Sequence, residues 1–291
     1  MKGLGTALIT PFKADGSVDY EALARLLDTQ LTGYVDYIVV LGTTGEAATL
    51  TADEKREVRQ FIVKYVNGRL PLVLGVGGNN TAQVISDLQA MRNELILDFT
   101  AILSVCPYYN KPNQEGLFQH FCAIAEASPI PVILYNVPGR TGVNLLPETV
   151  IRIYQAHPDK ILGIKEASGN IEQIKHLINL INAEGNKREA LHVISGDDGI
   201  ACDVMEAGGA GLISVASNAF AEDFWHIVHE KDAALQTQYA EMVRLLFAEG
   251  NPAGIKAVLA QKGIIQNYLR LPLVPASNEL RLAISELGIS D

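Results

Sequence analysis

Basic residues are scarce: 23 Lys and Arg stand against 33 Asp and Glu, a formal net charge of −10 across 291 residues. So acidic a chain, with no basic run, cannot neutralise a phosphate backbone or an anionic bilayer by charge, and neither nucleic acid nor a membrane surface is expected as a partner. Cysteine is thin as well. Cys106, Cys122 and Cys202 lie far apart, which writes neither a disulfide framework nor a zinc site and fits a reducing cytoplasm. No apolar stretch approaches the roughly 20 residues of a membrane helix, and Met1 leads directly into Leu4 to Ile9 without the basic region and small-residue cleavage site of a signal peptide. The phosphate-binding glycine loop of a dinucleotide fold is missing too: Gly75 and Gly77 lie at the end of the third apolar run, not after the first, and Asn80 stands where a third glycine would.

What is present is apolar residue in quantity, 48% against 19% charged, enough to bury a large core. Short β-branched runs recur at Gly5 to Thr10, Tyr37 to Leu41, Leu72 to Val76, Thr100 to Val105, Pro131 to Tyr135, Ile161 to Lys165, Leu191 to Ser195 and Gly211 to Val215. They are continuously hydrophobic, as strands covered on both faces must be, and mostly recur at intervals of about 30 residues, one βα unit. Helix starts lie between them: Thr51 with Glu54 as a capping box, Asn80 with Gln83, Asn170 with Gln173, and Pro147 in a first turn. Eight such units predict a closed (β/α)8 barrel over residues 1–222. Beyond it the strand rhythm stops, and Phe224 to Val228, Ala233 to Phe247, Ala253 to Lys262 and Glu279 to Glu286 predict a helical extension, 223–291.

In such a barrel the chemistry sits where the strands end. Lys165 closes the sixth run behind Ile161, Leu162 and Ile164, where lysine is rare. Burial disfavours the ammonium and favours a neutral amine able to attack a ketone; the other reading is an ion pair with Glu166 or with a strand neighbour. Tyr135 ends the neighbouring run and, with Thr43 and Tyr108 or Tyr109, could complete a hydroxyl chain that moves protons, although buried tyrosines also simply satisfy their hydroxyls. Thr43 and Thr44, in a glycine-flanked turn, can cradle a carboxylate or merely cap a helix. Arg140 can clamp a second carboxylate or lie solvated. Asp197 and Asp198 are read as helix caps and not metal ligands, and His226 and His229 as solvated or packed. No metal is expected.

Taken in order, Ile9-Thr10-Pro11-Phe12, Gly42-Thr43-Thr44-Gly45-Glu46, Tyr108-Tyr109-Asn110, Tyr135-Asn136-Val137-Pro138-Gly139-Arg140-Thr141-Gly142, Gly163-Ile164-Lys165-Glu166-Ala167, Ser195-Gly196-Asp197-Asp198, Gly211 to Val215 and Leu271-Pro272-Leu273 span essentially the whole chain. Through them it resembles the dihydrodipicolinate synthase family of pyruvate-dependent class I aldolases, a group that also holds N-acetylneuraminate lyase. The resemblance implies that Lys165 forms an imine with pyruvate, with no other cofactor, that Thr43 and Thr44 receive the pyruvate carboxylate, and that Tyr135 shuttles protons through Thr43 and Tyr109. It implies a tight dimer in which Tyr109 reaches the neighbour's site, and a homotetramer of two dimers. The enamine would attack L-aspartate 4-semialdehyde, whose carboxylate Arg140 would bind, giving 4-hydroxy-tetrahydrodipicolinate at the head of the diaminopimelate and lysine branch. Gly196 and Ile213 match backbone positions lining the pyruvate pocket.

Arg140 favours the synthase branch over the alternative, a 2-keto-3-deoxy sugar acid aldolase or sialate lyase, where another residue generally stands. A keto-acid sensor without turnover is a second alternative, separated by whether Lys165 reacts. Lysine-inhibited relatives bind that end product with an acidic side chain and histidines; here Gln83, Ala52 and Lys55 stand at those positions while Asn79 and Tyr108 remain, which implies weak or absent feedback.

Overall fold

The structure, a computed structural model, describes residues 1–91, 95–183 and 191–288. Strand β1 (Gly3–Ala7) leads through α1 (Tyr20–Gln30) to β2 (Tyr37–Val40), α2 (Ala52–Val66), β3 (Leu72–Gly75), α3 (Thr81–Met91), β4 (Ala101–Val105) and α4 (Gln114–Ala127). Then come β5 (Val132–Asn136), the single turn α5 (Pro138–Thr141), α6 (Pro147–Ala156), β6 (Ile161–Glu166), α7 (Ile171–Ala183), β7 (His192–Ser195), α8 (Ala201–Glu206) and β8 (Gly211–Ser214). The strands follow one another in chain order around a closed barrel, the expected (β/α)8 architecture. Helices α9 (Ala221–His229), α10 (Ala233–Ala248), α11 (Ala253–Gln261) and α12 (Asn278–Glu286) form the predicted tail. Among the described residues no helix is long and apolar enough to cross a membrane.

The chain gathers into two compact units, Met1–Gly3 with Pro71–Ile213 and Leu4–Leu70 with Ser214–Asp291. In the first, β3 to β8 pair in parallel, and Ile102, Leu134, Ile164 and Ile194 on four successive strands are fully buried. Each such side chain contributes roughly 1.5–3 kcal/mol. In the second, β1 pairs with β2, while Leu23, Leu26 and Leu27 of α1, Phe224 of α9 and Ile255 and Val258 of α11 are buried. Helix α1 begins where the Asp19 carboxylate accepts the Ala22 amide.

The predicted helix starts are present. Thr51 and Glu54 close a reciprocal capping box on α2, Asn80 and Asn170 accept the amides of Gln83 and Gln173, and Pro147 opens α6. The first strand differs from the expectation of Gly5 to Thr10: it spans Gly3–Ala7, with the Leu8 amide making the last bond across to the Val39 carbonyl. The side chain of Asn218 takes over there, accepting the Ile9 amide and donating to the Ala7 carbonyl.

Candidate active site

Strands β5 and β6 set Tyr135 opposite Lys165 and Asn136 opposite Glu166. Lys165 is 5% exposed, and Tyr135 is buried beside it. The Lys165 Nζ lies 4.6 Å over the Tyr135 ring centroid. Among the described residues no carboxylate pairs with this amine and nothing hydrogen-bonds it, and the Tyr135 hydroxyl is likewise unbonded. An aromatic face gives a cation only weak support, and it engages none of the N–H groups in a hydrogen bond.

Glu166 is not the lysine's counterion, which removes the ion-pair reading. Its carboxylate accepts from Asn136 Nδ2 at 2.9 Å, Gln173 Nε2 at 3.1 Å and the Ser168 amide at 2.8 Å. Asn136 and Gln173 are joined in turn through Asn144. This buried amide network was not anticipated from the sequence; the one available signal was that Glu166, next to Lys165 in an apolar strand, needs donors of its own. Cys106 packs at its edge, with Sγ 4.0 Å from Asn136 Oδ1, and burial pushes its thiol up, away from reactivity.

Gly196 makes room for the lysine. A Cβ there would stand 2.8 Å from Lys165 Cε and 2.6 Å from the Ala167 Cβ, while the Gly196 amide donates to the Glu166 carbonyl at 2.7 Å. Alanine must therefore push the lysine stem aside. Gly196→Ala is expected to cut turnover on the order of 10²-fold, the cost of misplacing a reacting atom by about 1 Å, with little change in circular dichroism; wild-type turnover would show that the stem has slack. Ile213, buried on β8, stands two strands from Lys165 in the barrel order.

Arg140 belongs to α5, a turn that Pro138 opens and Gly142, at φ +75°, closes with its amide on the Pro138 carbonyl. The guanidinium is exposed and forms no ion pair among the described residues. Tyr109 is 88% exposed at φ +75°, a backbone conformation that costs a β-carbon-bearing residue energy. Tyr108 is half-exposed, and neither phenol hydrogen-bonds within the chain among the described residues. Asn79 donates to the Tyr108 carbonyl and accepts from Asn110, whereas the Gln83 amide is held by Asp87. The structure brings Asn79 and Tyr108 together and ties Gln83 elsewhere.

In the second unit the turn after β2 carries Thr43, exposed, and Thr44, buried. Its own hydrogen bonds use the Gly45 and Glu46 amides, on the carbonyls of Gly42 and Thr43. Thr10 Oγ1 donates to the Gly45 carbonyl, and a Cβ at Gly45 would press to 3.0 Å from the Leu8 carbonyl oxygen. Thr44 Oγ1 accepts from Asn251 Nδ2 at 2.9 Å. Glu46, at φ +52°, is buried with its carboxylate on Lys256 Nζ, which also donates to the Tyr268 carbonyl at 3.0 Å. Both side chains of this pair are wholly inaccessible. Burial pulls Lys256 below the ordinary lysine range while Glu46 draws it back up. The Arg270 amide donates to the other Glu46 oxygen, and the Lys256 and Arg270 cations flank the Phe12 ring at 4.3 and 4.5 Å.

Arg270 also grips Glu54 bidentately, at 2.8 and 2.5 Å. That hydrogen bonding, with the Thr51 amide, holds the Glu54 carboxyl down to about 2 against an ordinary 4.5. The stabilisation is present above pH 4.5. As the pH falls towards 2 the unfolded chain takes up a proton that the folded chain refuses, so stability drops through that window. Urea midpoints measured between pH 6 and pH 3 should fall more steeply for the wild type than for Glu54→Gln; parallel slopes would remove Glu54 as the source.

Asp197 caps the turn at Asp198–Ile200 by accepting the Gly199 amide at 2.9 Å, as the capping reading expects. His226 and His229 face Glu230 and Asp36, with His229 stacked on Trp225. Among the described residues no cluster of three or more His, Cys, Asp or Glu could hold a metal ion.

Residues 1–287 match the model of the Dihydrodipicolinate synthetase family. A 4-hydroxy-tetrahydrodipicolinate synthase of Parabacteroides distasonis is 50% identical over 99% of this chain and 98% of its own length. One from Phocaeicola vulgatus is 46% identical over 99% and 98%. The crystal structure of dihydrodipicolinate synthase from Thermotoga maritima superposes with a TM-score of 0.92 at 38% identity, covering 99% of this chain and 97% of the other.

Proposed function

From the chain's membership of the dihydrodipicolinate synthetase family, we propose that it condenses pyruvate with L-aspartate 4-semialdehyde to 4-hydroxy-tetrahydrodipicolinate, the entry to the diaminopimelate and lysine branch. The observation that carries this reading is Lys165, a buried amine over the Tyr135 ring with no carboxylate partner among the described residues. Its nitrogen adds to C2 of pyruvate, and the carbinolamine loses water to give an imine that needs no further cofactor. Tyr135 moves the protons of that dehydration. Loss of a proton from C3 gives the enamine, which attacks the aldehyde carbon. The semialdehyde's amine then adds at the imine carbon, Lys165 departs as free amine, and the ring is closed.

Thr43 and Thr44 hold the pyruvate carboxylate, and Gly196 and Ile213 match the family's pyruvate-lining backbone positions. Arg140 takes the carboxylate of the semialdehyde, which its guanidinium, exposed and without an ion pair among the described residues, suits. Tyr109 completes the proton relay in the site of a second copy, within a homotetramer of two dimers; its 88% exposure in a single chain and left-handed backbone support that role. The enzyme works in the cytoplasm on small molecules. Residues 1–222 carry the chemistry and 223–291 the supporting helices.

Incubation with pyruvate and borohydride should add one reduced pyruvyl group, at Lys165, and supplying aspartate semialdehyde should then yield product. An unmodified protein would mean a sensor, and cleavage of N-acetylneuraminate or keto-deoxy-gluconate without condensation would mean a sugar-acid aldolase. Lysine at millimolar concentration should leave turnover nearly unchanged, because Gln83 is already engaged by Asp87 and supplies no charge. Sub-millimolar inhibition would contradict this.

A further inference from the structure

The tail reaches the carboxylate-binding turn at two points. Asn251, just ahead of α11, donates through Nδ2 to Thr44 Oγ1 at 2.9 Å, and Lys256, five residues on, holds the Glu46 carboxylate. Asn251 is 8% exposed, and among the described residues its Oδ1 has no hydrogen-bond partner. A buried amide is costly to place, more so with one end unsatisfied, so a single hydrogen bond to a threonine is a poor account of it by stability alone.

Its direction supplies the reason. A threonine hydroxyl has one hydrogen and two lone pairs. With Asn251 Nδ2 donating into one lone pair, the hydroxyl hydrogen cannot turn back onto the amide and is left to donate elsewhere. An anion needs such a donor. Glu46, two residues along, is a buried carboxylate that would repel an incoming anion, and Lys256 cancels its charge. The same stretch of tail thus aims a donor and neutralises the acid beside it.

We infer that Asn251 is a positioning residue for pyruvate, fixing the Thr44 hydroxyl as a donor to the substrate carboxylate. This rests on the proposed role of Thr44. The residue touches neither substrate nor Lys165 chemistry directly, so its loss weakens pyruvate capture and spares the later steps.

The test uses pyruvate and borohydride on the full chain, reading the pyruvate concentration that half-saturates Lys165 modification, beside kcat, KM and urea stability. Asn251→Leu is expected to raise the half-saturating concentration and the pyruvate KM about tenfold, the worth of one hydrogen bond to a charged ligand, with kcat within about twofold, since only that bond is lost. Asn251→Asp, which keeps the shape but can only accept from Thr44, should raise it at least as much. In a Thr44→Val background, Asn251→Leu should add nothing. Wild-type capture by either Asn251 variant, or additive losses in the double variant, would overturn the inference; wild-type capture by the aspartate would mean that the amide accepts from Thr44. If the wild type itself is not modified, the proposed function fails first, separately from this inference.

Discussion

Lys165→Ala is expected to lose condensation activity on the order of 10⁴-fold or more, the scale seen when a covalent nucleophile is deleted, while its urea midpoint stays close to or above that of the wild type. The two halves of this expectation have one cause. The side chain is 5% exposed with its nitrogen over the Tyr135 ring and no anion beside it, so folding strips the amine of water and gives little back. Truncation removes that cost and opens a void, two effects of opposite sign on stability. On the proposed mechanism no imine forms without the nitrogen, and neither Tyr135 nor Arg140 has an intermediate to act on. Steady-state assay with aspartate semialdehyde, together with loss of the borohydride adduct, checks the first half, and urea unfolding checks the second. A variant that kept a tenth of the activity would place the nucleophile elsewhere.

How much of this was legible follows a physical pattern. Strands covered on both faces announce themselves as unbroken apolar runs, so β2 and β5 and the barrel order could be read directly. Caps are local, and Thr51, Asn80, Pro147 and Asn170 stand where their spacing places them. Lys165 was legible because lysine breaks an apolar strand. What depends on distant partners was not. The end of β1 is decided by Asn218, more than two hundred residues away. Glu166 stood open as one possible counterion for Lys165, yet Asn136, Gln173 and the Ser168 amide claim its oxygens. Lys256 sits in Ala253–Gln261, where a lysine at helical spacing passes for a solvated one, and nothing local marks it as buried.

Lys256 and Lys165 make an instructive contrast, since both are buried and, of the two, Lys256 is the one paired with a carboxylate. The Lys256 ammonium is engaged by the Glu46 carboxylate and the Tyr268 carbonyl, and Phe12 lies beneath it. Pyruvate and borohydride should therefore leave it unmodified. Lys256→Met is instead expected to lower stability by roughly 3–5 kcal/mol, because it strands a wholly buried carboxylate that keeps, among the described residues, the Arg270 amide as its remaining hydrogen-bond donor and the Arg270 cation as a more distant charge. The loss belongs to the orphaned charge more than to the missing attraction. Lys256→Met combined with Glu46→Gln should then recover most of it, although the single Glu46→Gln variant, which strands the lysine, is also weakened. Urea denaturation of the four proteins at pH 7 closes this cycle. If the double variant is no more stable than Lys256→Met alone, buried charge is not what the pair answers, and the turn that carries Thr43 and Thr44 is held by packing around Phe12.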